Sequence, residues 1–222
     1  KGLYIHIPFC RRKCVYCAFY SVAAFDPVRI EAYLQALIDE ARWFSEVRFE
    51  GEKQALGTLY IGGGTPSLLP VDFYVRLMQG LETVFDFSTC REMTFEANPE
   101  HLASEYLRDL WHYTPVRRLS IGIQSFRDED LKRLIRCHTG KEAVAAVENA
   151  RRAGFSNLSA DLIYGLWGDD GSKYWKENLD YLARLDLPHF SAYALSLEPG
   201  TVLWRKVEQG KEAMASEEEI ER

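Results

Sequence analysis

Three cysteines, Cys10, Cys14 and Cys17, crowd into one short loop, in the run Phe-Cys-Arg-Arg-Lys-Cys-Val-Tyr-Cys behind a brief apolar strand. Thiolates packed this densely call for one metal centre, and three ligands differ in kind from four. Four cysteines close a structural zinc site or complete an iron–sulfur cluster. Three on a four-iron cube leave one iron free to bind a further ligand. A disulfide is disfavoured, because Cys90 and Cys137 are distant in sequence, the total of five is odd, and no secretory signal reads ahead of the motif. Zinc stays open, with His6 or water as fourth ligand. Zinc sites, however, ordinarily draw two ligands from each of two separated arms. The spacing favours iron–sulfur chemistry.

The 222 residues suffice for a full core and suit one domain. With 47% hydrophobic residues and no run long enough to span a bilayer, the chain reads as soluble. A formal charge of −6 argues against a general nucleic-acid binder. Arg11, Arg12 and Lys13, inside the cysteine loop, are the local exception. The thiols and the lack of a targeting segment point to a reducing cytoplasm. The tail Ala-Ser-Glu-Glu-Glu-Ile-Glu-Arg reads as a charged, helix-like stretch that stops abruptly.

β-rich runs recur at Gly2–Pro8, Leu56–Ile61, Glu92–Ala97, Arg117–Gln124, Asn157–Tyr164 and His189–Leu197. Amphipathic segments separate them. One opens at Asp26-Pro27, an N-cap followed by proline at the first helical position, and turns Ile30, Leu34, Leu37, Ile38 and Ala41 to one face. Lys141–Ala153 is alanine-rich and stops at Gly154; Tyr174–Leu185 repeats the pattern. Six strands spaced by helices imply right-handed βα units and a parallel sheet, either doubly wound and open or a partial six-unit barrel. In both, ligands gather at the C-terminal ends of the strands, and the distinctive residues fall there. They are the cysteine loop, Gly62-Gly63-Gly64-Thr65-Pro66, Glu96-Ala97-Asn98-Pro99, Gln124-Ser125-Phe126, Asp161 with Tyr164-Gly165, and Ser196-Leu197-Glu198-Pro199-Gly200-Thr201.

The glycine run exposes backbone to an approaching ligand, although a tight turn would account for one of its glycines, and it matches neither the phosphate loop nor the dinucleotide fingerprint. Glu96 and Asp161 are acids in apolar strands, suited to ribose hydroxyls or an amino group, or else to pairing with Arg117, Arg118 or Arg136. Gln124 offers both a donor and an acceptor. Arg136 suits bidentate capture of a carboxylate, or plain solvation on a helix. His138 reads as a ligand or a bystander. Tyr4 and His6 alternate with Leu3, Ile5 and Ile7 and so face the opposite side of their strand, toward the barrel mouth.

Cys10-x3-Cys14-x2-Cys17 after a strand, followed by Gly-Gly-Gly-Thr-Pro, resembles the radical S-adenosylmethionine superfamily. Gly-Leu-Tyr-Ile-His-Ile-Pro-Phe-Cys, Phe-Glu-Ala-Asn-Pro, Ser-Ile-Gly-Ile-Gln-Ser-Phe, Asp-Leu-Ile-Tyr-Gly-Leu and Leu-Glu-Pro-Gly-Thr resemble, within it, the oxygen-independent coproporphyrinogen III oxidase group. The resemblance runs in order over nearly the whole chain. It implies a partial (β/α)6 TIM-like barrel. Cys10, Cys14 and Cys17 would hold a [4Fe-4S] cluster whose fourth iron binds S-adenosylmethionine. Tyr4, Gly63, Gly64, Thr65 and Glu96 would contact that S-adenosylmethionine. Gln124, Arg136, Asp161 and Ser196 match positions around the active-site cavity and a second S-adenosylmethionine. The implied chemistry is one-electron cleavage of the sulfonium to a 5′-deoxyadenosyl radical, with the protein supplying positioning and exclusion of water. An acidic flavodoxin or ferredoxin is the implied electron donor, with Arg11, Arg12 and Lys13 as its docking patch.

The oxidase carries a cysteine two residues after the third, where this chain has Phe19. The Cys-x-Phe form resembles the group's haem-chaperone branch, HemW, whose members bind haem and are thought to deliver it to respiratory proteins. Residues 1–200 then read as the radical core and 201–222 as the start of a C-terminal region, which in the chaperones carries a haem-binding motif; His138 and His6 are the alternatives present as haem ligands. Two functions stay open at this point: haem binding and delivery, or radical chemistry on a tetrapyrrole such as oxidative decarboxylation of coproporphyrinogen propionates.

Overall fold

The structure, a computed structural model, describes residues 1–23, 26–166 and 171–216. The charged tail from position 217 onward lies outside the described residues. Strands β1 (Gly2–Ile7), β3 (Thr58–Gly63), β5 (Glu92–Ala97), β6 (Arg118–Gln124), β7 (Asn157–Tyr164) and β8 (His189–Ala194) form one sheet. The two-residue strands β2 (Gln54–Ala55) and β4 (Phe85–Asp86) pair separately. Helices α1 (Pro27–Phe49), α2 (Val71–Glu82), α3 (Ser104–Tyr113), α4 (Asp128–Arg133), α5 (Gly140–Ala153), α6 (Gly171–Leu185) and α7 (Val202–Glu208) fill the connections.

All neighbours in the sheet are parallel, in the order β1-β3-β5-β6-β7-β8. Each new strand is added on the same side of the last. A doubly wound sheet reverses that direction at a switch point, and none exists here. The winding is that of the partial barrel, with β1 and β8 as open edges.

Period-two alternation sorts the side chains. Ile5, Ile61, Phe95 and Leu119 lie in register across four strands and are buried. The intervening positions carry Tyr4 beside Tyr60, Glu96 beside Ser120, and Gly122 beside Asp161. One face is therefore core and the other polar.

The helix signals work as read. The Asp26 carboxylate accepts from the Val28 N–H at 3.0 Å, and Ile30, Leu34 and Ile38 are buried, with Leu37 and Ala41 packed beside them. Gly154 ends α5 at φ 112°. That helix also opens on a reciprocal cap, with Thr139 and Glu142 each accepting from the other's backbone N–H. A second apolar cluster, Val15, Leu134, Ile163, Leu166, Leu195 and Leu203, ties the cysteine loop to β7 and α7.

Leu77 of α2 is fully enclosed in the main core. Leu77→Ala removes buried volume that rigid neighbours cannot refill, so it should cost about 2–5 kcal/mol. Thermal denaturation should show a midpoint lower by roughly 5–15 °C; a fall below about 2 °C would mean the core repacks around the gap.

Candidate functional site

Apolar anchors aim the cysteine loop. Phe9 is buried and meets Tyr33 edge-on at 5.4 Å. The Cys10 N–H donates to the Val22 carbonyl at 3.1 Å, and the Val22 N–H to the Pro8 carbonyl at 2.7 Å. Midway, Val15 is buried and its carbonyl accepts from the Leu203 N–H at 2.9 Å. Arg11, Arg12 and Lys13 between these anchors stand exposed. Cys10, Cys14 and Cys17 line a cavity of about 580 Å³ at the C-terminal ends of the strands.

The glycine turn after β3 closes against this loop. The Gly64 N–H donates to the Ile7 carbonyl at 2.7 Å. A Cβ on Gly64 would sit 2.9 Å from the Cys10 sulfur and from the Phe9 and Pro8 carbonyls. Gly63 adopts φ 120° against the His6 ring, a conformation that favours glycine. Thr65 donates to the Cys10 sulfur at 3.5 Å. Two backbones thus approach to a distance that side chains would prevent, which a single-glycine turn would not require.

The donor set suits an iron–sulfur cube. Burial pushes the Cys17 thiol up, and the neighbouring Cys14 and Cys10 add to the rise. Crowded thiols of this kind ionise together only around a cation. Zinc would draw three thiolates to about 2.3 Å of one ion, whereas a cube takes one thiolate per iron. His6 has both ring nitrogens engaged, Nδ1 with the Tyr4 hydroxyl at 3.1 Å and Nε2 with the Tyr20 carbonyl at 3.0 Å.

The cavity floor is acidic. Glu96 accepts from the Tyr60 hydroxyl at 2.8 Å and the Gly63 N–H at 3.0 Å. Burial raises its carboxyl, and the nearby Asp161 raises it further. Asp161, also raised by burial, accepts from the Ser120 hydroxyl at 2.9 Å. Neither acid pairs with an arginine at ion-pair distance among the described residues. Gln124 lines the wall from a left-handed backbone at φ 69°, where β6 bulges after Gly122. Ser196 lines the opposite rim beside Tyr193, Leu195 and Glu198.

Arg136 lies on the same wall, but not as a free carboxylate clamp. Its Nη2 donates to Asn98 Oδ1 and the Gly122 carbonyl, both at 2.7 Å, and its Nη1 to the Cys14 sulfur at 3.6 Å. Tyr4 is not on the wall: the residue is 56% exposed, and its ring stacks on Tyr60 with centroids 5.9 Å apart. His138 is buried between the Glu100 carboxylate, 3.3 Å from Nδ1, and the Ile123 carbonyl, 3.0 Å from Nε2. Both ring nitrogens are therefore engaged, with none left for a metal or haem.

Sequence reasoning assigned no role to Asn98, Tyr16, Tyr60 or Ser120. Asn98 stands in the Glu-Ala-Asn-Pro run, and Tyr60 and Ser120 share strand parity with Glu96 and Gly122. That parity was the available signal. Tyr16, half-buried beside Cys14 and Arg136, has its hydroxyl pushed up chiefly by loss of solvent.

The chain matches the Radical SAM superfamily over residues 4–177. It is 37% identical over 218 residues to the heme chaperone HemW of Lactococcus lactis subsp. lactis (strain IL1403), covering 98% of this chain and 55% of that protein. It is 34% identical over 228 residues to the heme chaperone HemW of Escherichia coli (strain K12), covering 97% of this chain and 59% of that protein. The chain therefore spans little more than half the length of these relatives. The structure of coproporphyrinogen III oxidase (HemN) from Escherichia coli, a radical SAM enzyme, superposes with a TM-score of 0.86 at 27% identity, over 99% of this chain and 49% of that one.

The Glu100–His138 pair gives a pH signature. Burial opposes ionisation of Glu100, but the hydrogen bond from His138 and the charge of Arg136 outweigh it and bring the carboxyl down to about 2. The folded group is more acidic than the ordinary 4.5 of a free glutamate. Its stabilisation is therefore complete above that pH and lost as pH falls towards 2. Glu100→Gln should cost on the order of 2–3 kcal/mol at pH 7. Denaturant titrations of both proteins should show the difference shrinking below pH 4.5; a pH-independent difference would mean Glu100 is held as the neutral acid.

Proposed function

The chain belongs to the radical SAM superfamily, and on that footing we propose that it is the catalytic-core portion of a haem chaperone that holds a [4Fe-4S] cluster at Cys10, Cys14 and Cys17 and binds S-adenosylmethionine and haem. The observation that carries this reading is the convergence of the three thiols, the Gly63–Thr65 turn and the Glu96 carboxylate on one cavity. When bound, the cluster supplies the electron for cleavage of S-adenosylmethionine. The chain's own residues orient and shield. Backbone at Gly63 and Gly64 admits a ligand to the main chain. Glu96, already fixed by Tyr60 and Gly63, accepts hydrogen bonds from a ribose or an amino group. Gln124 and Asp161 bound the far wall, and Ser196 the rim.

Phe19, 71% exposed at the loop's end, stands where the oxidase pattern has cysteine. With the heme chaperones at 34–37% identity, it favours haem delivery over oxidation. Retention of Gln124, Arg136 and Asp161 in a roomy cavity keeps a second reading, oxidative decarboxylation of a coproporphyrinogen or another radical step on a tetrapyrrole. On the chaperone reading, residues 1–200 form the radical core and 201–222 begin the C-terminal region. Haem-accepting respiratory proteins are the partners in a reducing cytoplasm. Among the described residues no helix is long and apolar enough to cross a membrane.

Anaerobic reconstitution followed by addition of reductant, S-adenosylmethionine and coproporphyrinogen III should leave the porphyrinogen intact, while haem binds stoichiometrically by absorbance titration. Formation of protoporphyrinogen IX would replace the chaperone reading with the oxidase one.

Arg11, Arg12 and Lys13 are exposed beside the cluster thiols, a cationic patch suited to an acidic electron donor such as flavodoxin or ferredoxin. Reversing the three charges should slow reduction by flavodoxin about tenfold or more at low salt and flatten its salt dependence. Unchanged rates would remove the patch from the docking surface.

A further inference from the structure

We propose that Arg136 is a positioning residue that raises the reduction potential of the cluster by holding a permanent positive charge against the Cys14 sulfur. This rests on the iron–sulfur reading of the preceding subsection and adds to it a residue whose partner is the protein's own ligand sulfur. A carboxylate clamp needs two parallel N–H groups free on one edge of the guanidinium. Here Nη2 is committed to Asn98 and the Gly122 carbonyl at 2.7 Å, and Nη1 points to Cys14 at 3.6 Å. The third nitrogen, Nε, is buried without a partner.

The placement is costly, and the backbone maintains it. Ile135 adopts φ 57°, a left-handed conformation that a β-branched residue rarely takes. The Arg136 N–H is fixed to the Leu131 carbonyl at 2.8 Å. Strain next to a half-buried cation with an unsatisfied N–H persists only when surrounding contacts impose it. The charge is not cancelled by close pairing: Glu100, the acid whose charge acts on Arg136, is bonded to His138.

A guanidinium does not deprotonate in proteins, so this charge is present before and after electron transfer. Reduction takes one electron from an external one-electron donor and adds one negative charge to the cluster; no bond of the chain forms or breaks. A fixed cation and an N–H···S hydrogen bond both favour the more negative state, and such contacts are among the determinants of cluster potential.

The test is a dithionite titration of the anaerobically reconstituted protein, followed by electron paramagnetic resonance, with iron and sulfide counted in each sample. Arg136→Met should assemble the cluster and titrate at a more negative midpoint, with Arg136→Lys between it and the unmodified protein. Asn98→Ala removes a neutral anchor and leaves the charge, so it should lower the melting temperature while its midpoint stays near the unmodified value. An unmoved midpoint in Arg136→Met overturns the proposal, as does an equal shift in Asn98→Ala. If Arg136→Met holds no cluster, Arg136→Gln is titrated under the same criterion. Absence of a four-iron signal from the unmodified protein overturns the iron–sulfur reading and this inference together, an outcome distinct from an unmoved midpoint.

Discussion

Parallel pairing in sequence order is the constraint from which the site follows. When each strand lies beside its predecessor and runs the same way, every crossover leaves from the same edge. Loops remote in sequence then become neighbours without any contact designed for the purpose. The cysteine loop and the glycine turn lie side by side because β1 and β3 pair from Gly2 with Thr58 to Ile7 with Gly63. The hydrogen bond from Gly64 to the Ile7 carbonyl extends that pairing one step past the strand. It brings a side-chain-free backbone up to the Cys10 sulfur.

The same alternation that buries Ile5, Ile61 and Phe95 leaves an inner face for polar groups. A polar group taken from water is tolerated when it is hydrogen-bonded, and nearly every member of this face is. Glu96 has Tyr60 and Gly63, Asp161 has Ser120, and Arg136 has Asn98 and Gly122. Exceptions at the cavity are the Arg136 Nε and the Ser21 hydroxyl. Burial raises the two acids, Glu96 and Asp161, whereas Glu100 is lowered by its hydrogen bond with His138 and the charge of Arg136. Position relative to charge, more than burial, decides which acid stays ionised.

Much of this was legible in the sequence. The strands Glu92–Ala97 and Asn157–Tyr164 end where alternation and flanking turns place them. Residue pattern places the second main strand at Leu56–Ile61, but it runs Thr58–Gly63, because Gly62 and Gly63, weak strand formers, pair with His6 and Ile7. The last strand stops at Ala194 rather than Leu197, since the chain there turns inward to the cavity rim. Strand and helix periodicity alone left a doubly wound sheet and a partial barrel open, as the choice depends on the side to which each strand is added; the motif resemblance pointed to the partial barrel, and the strand order bears it out. At the site, residue types were legible and their partners were not. Arg136 carries the same donors whether it clamps a carboxylate or a sulfur, and His138 reads alike as a ligand or as the partner of a buried carboxylate.

The sequence by itself determined the chemistry available: three thiols at fixed spacing, a backbone stripped of side chains, acids at strand ends, and the periodicities that separate core from surface. These are local properties, set by residue type and by separations of a few positions. The tertiary structure alone decided which groups meet. It put Arg136 against Cys14 and Asn98, and Glu100 against His138. Such pairings join residues 38 to 122 positions apart, and at that separation only the packing of whole strands and helices fixes a distance.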